Sequence, residues 1–266
     1  MERIRTARLE LATELRGTGA PVLFLSGTGG DLRKTPSVLD GPLAEAFEVL
    51  TYDQRGLGRS AHPPGYWSMA DYADDAAALL DAVGWDVCAV VGVSFGGMVA
   101  QELALRHPQR VRALVLCCTS PGGAGGASWP LHELAALPEG ERERLQLELS
   151  DRRMDAAWQQ ANPERVERIL AQQRAQAAIG AGEPGRAEGA ARQLEARRHH
   201  DVWERLPSLR IPTLVCAGRH DGIAPPENAE ALAARIPGAA LRWFDGGHLF
   251  LLQDRSAWPA IVAWLR

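Results

Sequence analysis

The stretch "AVVGVSFGGMVAQELALRHP", residues 89–108, carries the change of pattern that decides the fold. Its first part is a short run of small and β-branched apolar residues, and its second part sets Met98, Val99 and Leu103 on one side of a helix. At the join stands Gly92-Val93-Ser94-Phe95-Gly96, which fits G-x-S-x-G at a strand-to-helix turn. The flanking glycines remove Cβ atoms that would collide with the neighbouring strand and helix, so a sharp turn can expose the Ser94 hydroxyl at a sheet edge. The helix that starts there also directs unpaired N–H groups toward that point, which favours negative charge. A serine that merely caps the helix is the plainer reading.

Outward from this turn, similar apolar runs bounded by turn residues recur at 21–27, 47–53, 87–93, 111–118, 212–218 and 239–245. Helical patterns, such as 69–83 and 97–106, lie between several of them, and this alternation predicts a mostly parallel sheet covered on both faces. The alternation breaks once. From "SPGGAGGASWP" at 120–130 to about residue 206 there is no strand pattern, only Arg-, Glu-, Gln- and Ala-rich helical sequence with breaks at Pro138, Pro163 and "GAGEPG". Extra packing is one reading of this block; its insertion through a glycine-rich hinge points to a lid over a pocket. The expected division is therefore a sheet core at 1–119 and 207–266 with a helical insertion at 120–206.

Composition narrows the function. A chain of 266 residues that is 46% hydrophobic can bury a substantial core, and a net charge of −4 with interspersed basic residues gives no footprint for nucleic acid or an anionic membrane. The charged start "MERIRTARLELATELRG" and the lack of any eighteen-residue apolar stretch point to a soluble cytoplasmic protein. Cys88, Cys117, Cys118 and Cys216 sit in apolar runs without metal-ligand spacing, so buried reduced thiols and no metal are expected. Lys34, the only lysine, lies in a loop-like segment ill suited to a Schiff base. The glycine-rich loop "SGTGGD" is no phosphate loop, because Arg33 stands where a glycine should precede Lys34-Thr35, and Leu32 spoils a dinucleotide fingerprint. No cofactor is called for.

A serine hydroxyl needs a base to take its proton, and the base needs a third group to hold its tautomer. Of seven histidines only His248, in "FDGGHLF", follows the last strand run, with Gly246 and Gly247 allowing a turn back over the sheet edge. The other histidines have duller explanations in helix ends and inserted helices. Two acids follow strands: Asp221 in "CAGRHDGIAPP", and Asp245, which is three residues before His248 and well placed to form the turn.

Taken together, the elbow, the order Ser94, Asp221, His248, the inserted helices and the loop "YDQRGLGRS" (52–60) resemble the α/β-hydrolase family over essentially the whole chain. The resemblance implies an eight-stranded, mostly parallel sheet with helices on both faces and a helical cap inserted after strand six. It makes Ser94 the nucleophile and His248 the base, and its order of residues selects Asp221 over Asp245 as the acid. It places the oxyanion hole at the N–H groups of Phe95 and of Thr28, in the loop Ser26–Asp31, with Gly27 beside the substrate. Many members have His-Gly where this chain has Ser26-Gly27. A serine at the elbow sets the chain apart from the aspartate-using dehalogenases and epoxide hydrolases, and "GVSFG" differs from the prolyl-aminopeptidase pattern.

What the resemblance leaves is a serine hydrolase of small carboxylic esters or lactones, similar to esterases and enol-lactonases. Cofactor-free haloperoxidases, which form peracids, share the same three residues, and some members of the fold act chiefly as small-molecule receptors. Phe95, Trp129, Leu134, Trp158 and Trp203 are candidates to line an apolar pocket, against the plainer reading that they pack between helices. Arg197 and Arg198 would suit a carboxylate, although an arginine-rich chain makes a solvated helix face the expected answer.

Overall fold

In the computed structural model, which describes residues 1–266, an antiparallel hairpin of β1 (Glu2–Arg5) and β2 (Glu10–Arg16) precedes β3 (Pro21–Leu25), β4 (Glu48–Tyr52), β5 (Cys88–Val93), β6 (Val111–Cys117), β7 (Thr213–Gly218) and β8 (Ala240–Phe244). The last six coincide with the apolar runs to within two residues at each end. The hairpin escapes sequence reading because it lies at the sheet edge, where β2 needs only Leu11, Ala12 and Thr13 buried and can carry Glu and Arg elsewhere. The strands form one sheet in the order β1-β2-β4-β3-β5-β6-β7-β8, parallel except where β2 meets β1 and β4.

The helices are α1 (Pro42–Ala46), α2 (Met69–Ala82), α3 (Phe95–Arg106), α4 (Glu139–Ser150), α5 (Ala156–Ala161), α6 (Pro163–Ala178), α7 (Arg186–Arg198), α8 (Pro226–Arg235), α9 (Phe250–Gln253) and α10 (Ala257–Leu265). The central strands read as unbroken apolar runs because both their faces are buried. Along β5, Cys88 and Val90 pack with α2 and α3, whereas Ala89 and Val91 face the layer that holds α1 and α10. The chain leaves β3 for β4 through α1 on one face and enters α3 on the other face from β5. The two connections diverge beside each other at the carboxyl ends of β3 and β5, which opens a crevice there.

Helices α4 to α7 occupy the long segment between β6 and β7, and no strand lies among them. Its ends are stitched together: Gly122 bridges to Asp201, and the Val202 N–H donates to the Pro121 carbonyl at 2.9 Å. The segment has little core of its own, essentially Leu147, Val166 and Leu170. It is tied to the loop after β3 through Arg33–Glu183 at 2.6 Å and to α3 through Arg205–Glu102 at 3.1 Å. No helix is long and apolar enough to cross a membrane. All four cysteines are free and buried.

Candidate active site

Ser94 sits between β5 and α3 with φ 55° and ψ −116°, a conformation that costs a non-glycine residue about 1–3 kcal/mol. The surroundings hold it there. The Ser94 N–H donates to the Cys117 carbonyl and Thr119 Oγ1 donates to the Ser94 carbonyl, both at 2.8 Å. The glycines are required by close approach: a Cβ on Gly92 would lie 2.4 Å from the Gly96 carbonyl oxygen, and one on Gly96 would lie 2.1 Å from that of Leu25.

Three side chains from three loops meet at this point. His248 Nε2 is 2.9 Å from Ser94 Oγ, and His248 Nδ1 is 2.8 Å from Asp221 Oδ2. The other oxygen, Asp221 Oδ1, accepts the N–H groups of Ile223 and Ala224, each at 2.8 Å, so the fully buried carboxylate cannot swing away. An imidazole that keeps its proton on Nδ1 and donates it in a hydrogen bond to Asp221 presents a lone pair at Nε2 to the Ser94 hydroxyl, the arrangement needed to remove the hydroxyl proton during attack on a carbonyl. Asp245, the rival acid, instead pairs at the surface with Arg153 at 2.8 Å.

The loop that carries His248 is braced by the inserted helices, a contact that sequence patterns do not reveal. The His248 N–H donates to the Ser150 carbonyl at the end of α4 (2.7 Å), and a Cβ on Gly247 would lie 2.0 Å from the same oxygen. Gln253 joins this brace, accepting the Gly247 N–H and donating to Asp151. Burial by itself would raise the Asp151 carboxyl, but the hydrogen bonds and charge of Arg153 more than offset it and hold the group below the ordinary aspartate value.

The loop after β3 forms the facing wall. A Cβ on Gly27 would lie 3.4 Å from Ser94 Cβ, so this residue abuts Ser94. The Thr28 N–H has no acceptor within the protein, and Thr28 Oγ1 is buried without a partner. Phe95, at the first position of α3, has an N–H with no intrahelical acceptor. Side chains tie the loop down: Gln193 Oε1, from α7, accepts the Gly29 N–H at 2.8 Å, Lys34 Nζ donates to the Gly29 carbonyl at 2.9 Å, and Gln54 Nε2 donates to the Ser26 carbonyl at 2.7 Å. Behind it Asp53 accepts the N–H groups of Leu32 and Arg59; burial pushes its carboxyl up to about 6, against the pull of those two donors.

Several expected pocket residues are placed elsewhere. The Phe95 ring is fully buried and meets Tyr72 edge-on at 5.0 Å, so this side chain belongs to the core. Trp158 packs on Leu147, Val166 and Leu170 under Arg165, and Trp203 packs on the main core under Arg235. Both aromatics cover apolar helix surfaces, which leaves them to packing rather than to the site. Trp129 is half-buried and ties neighbouring segments through its backbone, donating to the Ile223 carbonyl and accepting from Arg197. Arg197 also departs from expectation: it is buried, whereas Arg198 is exposed.

Cys118 Sγ lies within 4.8 Å of ligand atoms of Asp221 and His248. The site suits a packed thiol better than a metal. Both Asp221 oxygens and both His248 nitrogens are committed to hydrogen bonds, and burial, reinforced by the Asp221 charge, pushes the thiol well above its ordinary range.

The alpha/beta hydrolase fold profile matches residues 20–254. A candidate carbamate hydrolase of Azorhizobium caulinodans is 32% identical over 248 residues, which cover 91% of this chain and 89% of that protein. The poly(3-hydroxyalkanoate) depolymerase of Ectopseudomonas oleovorans is 30% identical over 256 residues, covering 91% and 82%. Among solved structures, a thermophilic esterase from Thermogutta terrifontis superposes with a TM-score of 0.75 at 28% identity, covering 100% of this chain and 97% of that one.

Proposed function

The chain belongs to the α/β-hydrolase family, and from that premise we propose that it is a serine hydrolase of carboxylic esters or lactones. The observation that carries the reading is His248 standing between Ser94 and Asp221 at 2.9 and 2.8 Å. In this mechanism His248 Nε2 takes the Ser94 proton as Oγ attacks the carbonyl carbon. The N–H groups of Thr28 and Phe95 receive the oxyanion, and loss of one such donor typically costs about 10²–10³ in rate. His248 returns the proton to the departing alcohol, then activates water to release the acid. Asp221 keeps the imidazole in the required tautomer throughout.

The depolymerase and esterase relatives support an ester as the bond cleaved, whereas the carbamate-hydrolase relative points to a carbamate as the alternative carbonyl substrate, and no step calls for a cofactor. Residues 120–206 act as a cap between core portions 1–119 and 207–266, a role supported by the contacts of α4 with the His248 loop and of α7 with Gly29. Four free, buried cysteines support a reducing, cytoplasmic setting. The test is steady-state hydrolysis of p-nitrophenyl esters from acetate to octanoate, with several lactones, by wild type and Ser94→Ala. Turnover should fall by about 10³-fold or more in the variant; turnover that persists unchanged overturns the reading.

A further inference from the structure

Under the inserted helices, beside the elbow, lies a group of polar side chains that this chemistry does not use. They line a cavity of about 110 Å³ whose walls include Met98, one helical turn after Ser94, with Ser120, Ser128, Arg197, Arg198 and His200, and no carboxylate. Arg197 is the unusual member. It is only 7% exposed, and its one hydrogen bond runs from Nη1 to the Trp129 carbonyl at 2.8 Å. Its Nε and Nη2 atoms are buried without a partner, and no acid pairs with it. Burial lowers its pKa to about 10, so the group still carries its charge at neutral pH. A buried guanidinium without a counter-ion is strongly unfavourable unless something else supplies the negative charge.

The free atoms define what that would be. Nε and Nη2 share one edge of the guanidinium, the edge that receives a planar carboxylate through two parallel N–H···O bonds. The hydroxyls are arranged to help: Asn228 Nδ2 donates to Ser120 Oγ at 2.7 Å, and Ser120 Oγ lies 2.6 Å from Ser128 Oγ. With Ser120 giving its proton to Ser128, the Ser128 proton is left for an acceptor in the cavity. His200, also 7% exposed, has both ring nitrogens unpartnered. One turn before Arg197 on the same helix, Gln193 holds Gly29 through Oε1 while its Nε2 is buried and unpaired. Residues four apart lie about 5–6 Å from each other on a helix. The inner face of α7 thus carries unused donors from the Thr28 loop toward the cavity.

We propose that the cavity is an anion subsite in which Arg197 and Ser128 receive a carboxylate carried by the substrate, so that the preferred substrates are esters or lactones bearing a free acid group. The assignment rests on the serine-hydrolase reading for the bond that is cleaved. It is tested by the ratio of kcat/KM for the p-nitrophenyl half-ester of glutaric acid to that for p-nitrophenyl pentanoate, a neutral ester of the same chain length. Wild type should favour the anionic ester. Arg197→Met should lower the ratio by about 10²-fold, the usual penalty for truncating one partner of a buried charge pair, with Arg197→Lys and Ser128→Ala falling between. A ratio needs no correction for the amount of folded enzyme, so a weakly folding variant still gives an answer.

Binding provides the independent arm. Ser94→Ala protein titrated with glutarate should show saturable binding that the added Arg197→Met change abolishes, and glutarate should compete with ester in wild type. A ratio constant within about threefold across the variants, non-competitive inhibition, or binding of inorganic phosphate in preference to glutarate would overturn the proposal. Loss of glutarate binding on Arg197→Met in a protein that turns over neither ester would break the hydrolase reading and keep the anion site. Ser94-dependent turnover that ignores Arg197 would do the reverse.

Discussion

His200 shows how much a single side chain can record of its surroundings. Burial, opposed by the Ser120 backbone and Asp201 and reinforced by Arg205 and Arg197, pushes its pKa down from 6.5 to about 4. The unfolded chain takes up this proton near pH 6.5, whereas the folded protein resists until about pH 4. The unfolded state therefore binds more protons in that window, and stability falls as pH drops through it. Urea midpoints measured from pH 7 to 4 should fall less steeply for His200→Gln than for wild type; identical slopes would mean the residue is solvated. Ser94 and His248 stood out at this scale because each follows a strand run beside glycines that permit a sharp turn, whereas Asp221 and Asp245 both follow strands and only the family's residue order separated them. Arg197 did not stand out, since an arginine-rich helix gives no sign of which guanidinium faces inward.

At the scale of elements, the central strands could be read from pattern because two-sided burial leaves them apolar, and the two helices flanking the elbow because their buried residues recur at helical spacing. The β1–β2 hairpin was hidden by its edge position, and for the aromatic residues of the insertion the sequence left packing and pocket lining both open because it does not say which face of a helix meets which neighbour. The least visible element contact is α7 against the loop after β3. Gln193 Oε1 is the acceptor that fixes the Gly29 N–H next to Thr28. Gln193→Ala should lower kcat by about tenfold with a smaller change in KM, as expected for a residue that positions a donor used in the transition state. A change confined to KM would place Gln193 in substrate binding instead.

Over the whole molecule, the site is assembled from segments far apart in the chain: the loop after β3, the elbow after β5, the acid after β7 and the histidine after β8. The sheet brings their carboxyl ends to one edge, and the insertion then presses on two of them, through Ser150 on the His248 loop and through Gln193 on Gly29. With a core of only a few buried residues, the insertion gains its order from the sheet and returns it by fixing those loops. The proposed function therefore reduces to one claim, that Ser94 is acylated during turnover. The most direct measurement is mass spectrometry of protein quenched with acid during turnover of p-nitrophenyl butyrate, followed by peptide mapping. The account predicts one butyryl group on the peptide containing Ser94, absent from Ser94→Ala. Steady turnover with that peptide unmodified, or an acyl group carried elsewhere in the chain, would contradict it.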